Sequence, residues 1–261
     1  MEGNGKDWVT LKVNDAVGIL TLSAPEQLNA IHEPMMVQLI QRLEDLHSDA
    51  KVRAVIVTGS GRGFCAGAHV GAMAALEDKG RGIHKLLDEG WNQAVRLIRS
   101  MPKPVISAVN GIAAGGGVGL ALSADMVLAA RSACFIQVFG PKLGVIPDVG
   151  NTWFIPQALG RARSLRLMLT GESLGAEQAE NWGLIARCVE DDDLASEALA
   201  LAHDLSQGPI EAFVEIRKAL DRGLVSSLDC MLDHERDTNA RLCAGPAFQE
   251  GTSAFAAKRR P

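Results

Sequence analysis

Twice in this chain a β-branched, apolar run ends in a glycine-rich loop, and helical periodicity resumes beyond it. Residues 52–58 (VRAVIVT) lead into the loop 59–71, and residues 105–109 (VISAV) lead into 110–117. Runs of this kind read as buried strands. Met36, Leu39, Ile40, Leu43 and Leu46 recur at helical spacing within residues 33–49. Ile83, Leu86 and Leu87, then Val95, Leu97 and Ile98, mark further helical faces that Pro102 and Pro104 end. Residues 118–124 predict the helix opened by the second loop. Residues 8–13 and 17–22, on either side of Asn14-Asp15, predict a hairpin. Alternating strands and helices assign the chain to the α/β class. Strand signals stop after about Asp191. We therefore expect a core over residues 1–195 and a helical part over 196–261.

Several function classes fit the composition poorly. The five cysteines (Cys65, Cys134, Cys188, Cys230, Cys243) are scattered, odd in number and contain no CxxC pair. That argues against a disulfide framework or a zinc site, and it fits a reducing cytoplasm. The start, MEGNGKDWVT, has no basic segment followed by an apolar run, so no secretory signal is read there. No stretch approaches the roughly 18 apolar residues of a membrane span. The net charge of -5, the absence of tyrosine and an aromatic content of 4% make nucleic acid a poor partner.

The chemistry-bearing segments are the two loops, Gly61-Arg62-Gly63-Phe64-Cys65-Ala66-Gly67-Ala68-His69 and Asn110-Gly111-Ile112-Ala113-Ala114-Gly115-Gly116-Gly117. Small side chains let a ligand approach the backbone, and a helix N-terminus leaves amide N–H groups without partners. Two N–H groups from separate loops can converge on one oxygen and stabilise an oxyanion. The same glycines also serve tight turns alone. Neither loop fits the triphosphate-binding GxxxxGK[ST] pattern or the dinucleotide-binding GxGxxG pattern.

Motifs along nearly the whole length resemble the enoyl-CoA hydratase/isomerase (crotonase) family. They are PEQLNAI at residues 25–31, VRAVIVTGSGRGFCAGAHV, KPVISAVNGIAAGGGVGLALSAD, IPDVGNTWFIPQALGRARSLRLMLTGE, AEQAENWGLIARCV and the terminal EGTSAFAAKRRP. The resemblance implies a spiral of ββα units with a helical C-terminal trimerisation region. It implies coenzyme A thioester substrates, no metal and no separate catalytic cofactor, and assembly as a homotrimer or hexamer. By motif position, Ala68 and Gly116 would donate the two oxyanion-hole N–H groups. Ala66 and Ala68 would lie along the coenzyme A contacts, with Leu28 and Asn29 on the same side. Phe255 and Lys258 would reach a neighbouring subunit's coenzyme A.

The resemblance also frames the choice of reaction. Hydratases of the family use two glutamates, one at the position of Gly119 and one near Phe139 or Gly140. Neither position is acidic here. An acid follows at Asp148, in Val145-Ile146-Pro147-Asp148-Val149-Gly150. An aspartate before a helix also serves as an N-cap. Family isomerases, including ring-epoxide isomerases of phenylacetyl-CoA breakdown, show the similar pattern FxxxF…GLxPDxGG and use that aspartate to carry the proton. Family dehalogenases use it as a nucleophile, but pair it with a histidine where this chain has Asn92 and a tryptophan where it has Phe139.

An acyl-CoA isomerase acting through Asp148 is thus the expected function. An enoyl-CoA hydratase and a non-catalytic acyl-CoA-binding relative are the alternatives. The acyl pocket is expected from residues 72–87 and 138–144. His69, which replaces an aspartate more usual after AGA, is read as solvated or near coenzyme A. Cys65 is read as a small packing residue.

Overall fold

A computed structural model describes residues 6–259, and by backbone proximity these form two compact units that meet at Ser206/Gln207. The expected boundary at 195/196 falls at the start of a helix, 194–207, that groups with the first unit.

The first unit is built from repeated pairs of strands. The hairpin β1 (Val9–Asn14) and β2 (Val17–Leu22) is antiparallel, with Asn14 opposite Val17. The turn is therefore Asp15-Ala16, one residue past the expected centre, and Asp15 takes the left-handed φ of 52° that aspartate tolerates. Helix α1 (Glu33–Ser48) buries Met35, Met36, Leu39, Leu43 and Leu46, as its periodicity predicts. A long strand and a short one then alternate: β3 (Ala54–Gly59) with β4 (Gly63–Cys65), β5 (Val105–Val109) with β6 (Ile112–Ala114), and β7 (Met126–Ala130) with β8 (Cys134–Ile136). Helices α2 (Val70–Ala74), α3 (Lys79–Leu86) and α4 (Asn92–Arg99) follow the first of these pairs. Helix α5 (Gly116–Leu122) follows the second and α6 (Asn151–Thr170) the third.

The long strands join one sheet in the order β1-β2-β3-β5-β7-β10, parallel from β2 onward. The short ones join a second sheet, β4-β6-β8-β9. Strands β9 (Ser173–Gly175) and β10 (Arg187–Val189) flank helix α7 (Ala176–Trp182). This is the ββα spiral that the motifs imply. Every residue of β5 is buried, as the β-branched run predicts. Helix α8 (Leu194–Gln207) buries Ala198 and Ala202.

The second unit holds α9 (Ile210–Gly223), α10 (Leu228–Cys243) and α11 (Pro246–Ala256), matching the expected helical C-terminal part. Arg241 of α10 pairs with Glu211 and Glu215 of α9. Ile216, Leu220, Leu224, Val225, Leu228 and Leu232 are exposed in the single chain.

Candidate active site

Two buried or half-buried asparagines shape the first glycine loop. Asn29 has no exposed surface. Its Oδ1 accepts from the Ala24 N–H at 2.8 Å, and its Nδ2 donates to Ser60 O at 2.9 Å and Gly63 O at 2.7 Å. Asn110 Oδ1 accepts from the Gly59 N–H at 3.0 Å, while its Nδ2 donates to Gly61 O and Gly63 O at 2.9 and 3.1 Å. The side chain of Asn29 thus holds the loop from within and presents nothing to a ligand. Leu28, at φ 51°, accepts the Ala66 N–H through its carbonyl at 2.9 Å.

The next residues fix the direction of Ala68. Ile31 donates to Gly67 O at 2.8 Å and accepts from His69 N–H at 2.9 Å, forming a parallel bridge opposite Ala68. In such a bridge the intervening residue turns its own N–H and C=O to the other side. No acceptor among the described residues meets the Ala68 N–H. Ala68 lines a cavity of about 400 Å³ with Met36 and Ile40 of α1, Met73, Leu76 and Leu86. The expected segment 72–87 therefore forms one wall, α1 forms another that periodicity alone did not assign to a pocket, and none of the expected residues 138–144 lines this cavity.

The second loop supplies the other donor. Gly115 adopts φ 54° and ψ -122°, and its N–H is held by Ile136 O at 3.0 Å. Helix α5 then begins at Gly116, whose N–H is an N-terminal orphan with no acceptor among the described residues. Gly67 brings the two loops together. At its φ of 88°, a Cβ there would sit 2.9 Å from Ala114 O and 3.3 Å from Gly116 N. Only glycine permits that approach. The indole of Trp91 and Cγ2 of Val149 lie 3.3 and 3.1 Å from where a Gly116 Cβ would stand. Both are buried, so this donor faces little water-like screening.

Asp148 lies in the turn that enters α6. It is not the helix cap: Gly150 occupies that position, and no side chain caps the helix. The half-buried carboxyl is pushed up to about 6 by burial, against the pull of a hydrogen bond from its own backbone. It has no ion-pair partner among the described residues. Val149 beside it has a φ of 53°, a sparsely populated region for a β-branched residue, and such strain clusters at functional sites. The Asp148 carbonyl accepts from Asn151, through the backbone N–H at 3.0 Å and through Nδ2 at 2.8 Å.

Other expected residues fall as follows. Gly119 is buried in α5, and Phe139 packs its ring 3.6 Å from where a Gly115 Cβ would be. Gly140 is exposed in the turn that follows. His69 caps α2 by accepting the Ala72 N–H on Nδ1 at 3.2 Å, and His32 caps α1 in the same way through Met35 N at 3.3 Å. Burial, and then the neighbouring His69, lower the pKa of His32. The buried Cys65 thiol is pushed up to about 12, which suits packing rather than nucleophilic attack. In the second unit, Phe255 is 88% exposed on α11 and Lys258 follows it at φ 51°. Among the described residues, no three His, Cys, Asp or Glu side chains converge as a metal site, and no helix is long and apolar enough to cross a membrane.

The chain is similar to known proteins over nearly all of its length. The family described as enoyl-CoA hydratase/isomerase matches residues 12–261. The 1,2-epoxyphenylacetyl-CoA isomerase of Escherichia coli K12 is 41% identical, with 98% of this chain and 97% of that protein covered. The 2,3-dehydroadipyl-CoA hydratase of the same strain is 32% identical, with 93% of each covered. The crystal structure of an enoyl-CoA hydratase from Polaromonas sp. JS666 superposes with a TM-score of 0.91 at 32% identity, covering 97% of this chain and 98% of that one. With two unpaired amide donors on adjoining glycine loops and matches over nearly all of its length, the chain belongs to the enoyl-CoA hydratase/isomerase family.

Proposed function

We propose that the protein is an acyl-CoA isomerase in which Asp148 carries the proton and the N–H groups of Ala68 and Gly116 hold the thioester oxygen. The observation that carries this reading is the half-buried, unpaired Asp148 in a turn packed against Gly116 through Val149, with no carboxylate at positions 119, 139 or 140. For a β,γ-unsaturated thioester, Asp148 removes an α proton. The C–H electrons enter the conjugated enolate, whose charge rests on the oxygen facing the two N–H groups. The proton returns at the γ carbon and the double bond becomes α,β. Coenzyme A enters as part of the substrate, and no other catalytic cofactor or metal is needed for these steps.

The name of the Escherichia coli relative makes a ring epoxide of an aromatic acyl-CoA the second substrate class to test. Hydration is the alternative reaction, and the relative named as a hydratase keeps it in the assay. We further propose a cytoplasmic homotrimer, or paired trimers, formed through the second unit, with Phe255 and Lys258 serving a neighbouring subunit's coenzyme A. Incubation with trans-3-hexenoyl-CoA, crotonyl-CoA and an aryl-epoxide thioester, followed by mass spectrometry and ultraviolet absorbance, tests the reaction. Isomerised product without added water supports the proposal. Efficient hydration of crotonyl-CoA overturns it, and binding without any turnover supports the non-catalytic alternative.

A further inference from the structure

We infer that Asn151 is a positioning residue that orients the oxyanion donor and the proton carrier together, with Gln137 aligned behind it. This rests on the isomerase reading of Gly116 and Asp148. Asn151 has no exposed surface. Its Nδ2 donates to Gly115 O at 3.2 Å and to Asp148 O at 2.8 Å, and its Oδ1 accepts from Gln137 Nε2 at 3.0 Å. Carbonyl oxygens only accept. Nδ2 must therefore face the two backbone carbonyls, Oδ1 must face Gln137, and Gln137 must offer its amide N–H.

The Gly115 carbonyl and the Gly116 N–H belong to one planar peptide and point in opposite directions. A donor on that carbonyl draws electron density from the peptide and makes its N–H a better donor. The bonds run in one sense: Gln137 Nε2–H to Asn151 Oδ1, Asn151 Nδ2–H to Gly115 O, Gly116 N–H to the thioester oxygen. Each polarises the next. The other Nδ2–H, with the Asn151 backbone N–H, holds the carbonyl of Asp148. One amide therefore sets the spacing between the residue that bears the carboxylate and the peptide that bears the donor. Gln137 is 3% exposed, and its Oε1 is buried with no partner among the described residues. An apolar side chain would fill that space without leaving an unsatisfied oxygen, so the amide's value lies in the hydrogen it gives Asn151.

The test uses the full chain and the variants Gln137→Met and Asn151→Leu, each checked for folding by circular dichroism. Cinnamoyl-CoA is the optical probe. It is conjugated, has no γ hydrogen to lose, and absorbs further to the red as its carbonyl is polarised. Kinetics are read with trans-3-hexenoyl-CoA. We expect a red shift with the parent, a smaller one with both variants, and kcat lower by about tenfold at nearly constant KM, as for one hydrogen bond that acts in the transition state. A purely packing role would leave the shift unchanged. Full red shift and parental kcat in folded variants overturn the inference. If Asn151→Leu does not fold, Gln137→Met decides alone, because it leaves Asn151 in place. A parent that neither shifts the probe nor turns over hexenoyl-CoA defeats the isomerase reading itself.

Discussion

The carbonyl oxygen of Val149 lies 2.1 Å from where a side-chain carbon on Gly119 would have to stand, with the Val149 Cβ at 3.0 Å. Position 119 therefore has no room for a side chain, and the residue that fills the space is the neighbour of Asp148. The absence of a side chain at position 119 and the strained turn that carries Asp148 are one packing arrangement.

Restoring a glutamate at position 119 is accordingly expected to fail. Gly119→Glu should lower stability by at least about 1–3 kcal/mol through overpacking and confer no crotonyl-CoA hydration. Thermal unfolding beside the hydration assay checks both. A variant with the parent's Tm would mean that the 146–150 turn can move aside.

Asp148→Asn keeps the side chain's shape while removing its proton chemistry. Turnover should fall by about 10²–10⁴, the range for general acid–base groups, with acyl-CoA affinity retained in calorimetry. Unimpaired isomerisation by this variant would place the proton carrier elsewhere.

Burial of Asp148 predicts two pH effects. Activity should decline as pH falls through about 6, where the base takes up its proton. Stability follows the opposite sense. The folded pKa lies above the ordinary value of 3.8, so the folded chain binds this proton more tightly than the unfolded one. The group's contribution is most favourable below about pH 4, is lost as pH rises through 6, and leaves a burial cost above that. Asp148→Asn should therefore gain about 1–2 kcal/mol over the parent at pH 7.5 and little at pH 4.5, measured by urea unfolding. A gain that is larger at the lower pH contradicts this assignment.

Gly67 tests the junction of the two loops. A methyl group at this left-handed position would press on Ala114 O at 2.9 Å and on Gly116 N. Gly67→Ala should displace the second donor and reduce kcat by about 10², comparable to losing one oxyanion contact. Parental kcat in this variant would mean that the two donors do not act together.

Assembly is tested on the second unit. Val225 and Leu228 are 85% and 74% exposed in the single chain, and the proposed assembly would cover them. The double variant Val225→Asp, Leu228→Asp should sediment as a smaller species than the parent. A parent that is monomeric at micromolar concentration would refute the proposed trimer.

The sequence alone determined the parts governed by local rules. The run read over 52–58 forms a strand at 54–59. The run at 105–109 and the apolar spacing of α1 formed as read, because their periodicity is set by backbone geometry, while the segments read as loops over 59–71 and 110–117 also hold β4 and β6. The three-residue strands β4, β6, β8 and β9 were not legible. Each is too short to show a period, and they pair only with one another in the second sheet. The same holds for His32 and His69, whose capping roles depend on where α1 and α2 begin. Tertiary structure alone decided that the Asn29 side chain holds the first loop, that Val149 closes position 119, and that Gln137 and Asn151 line up behind Gly115. Asn151 even stands at the second glycine of the motif GLxPDxGG, where nothing in the pattern marks it. These contacts join segments 14 to 36 residues apart, and a hydrogen bond between buried amides exists only once the chain has removed the water that would otherwise satisfy them.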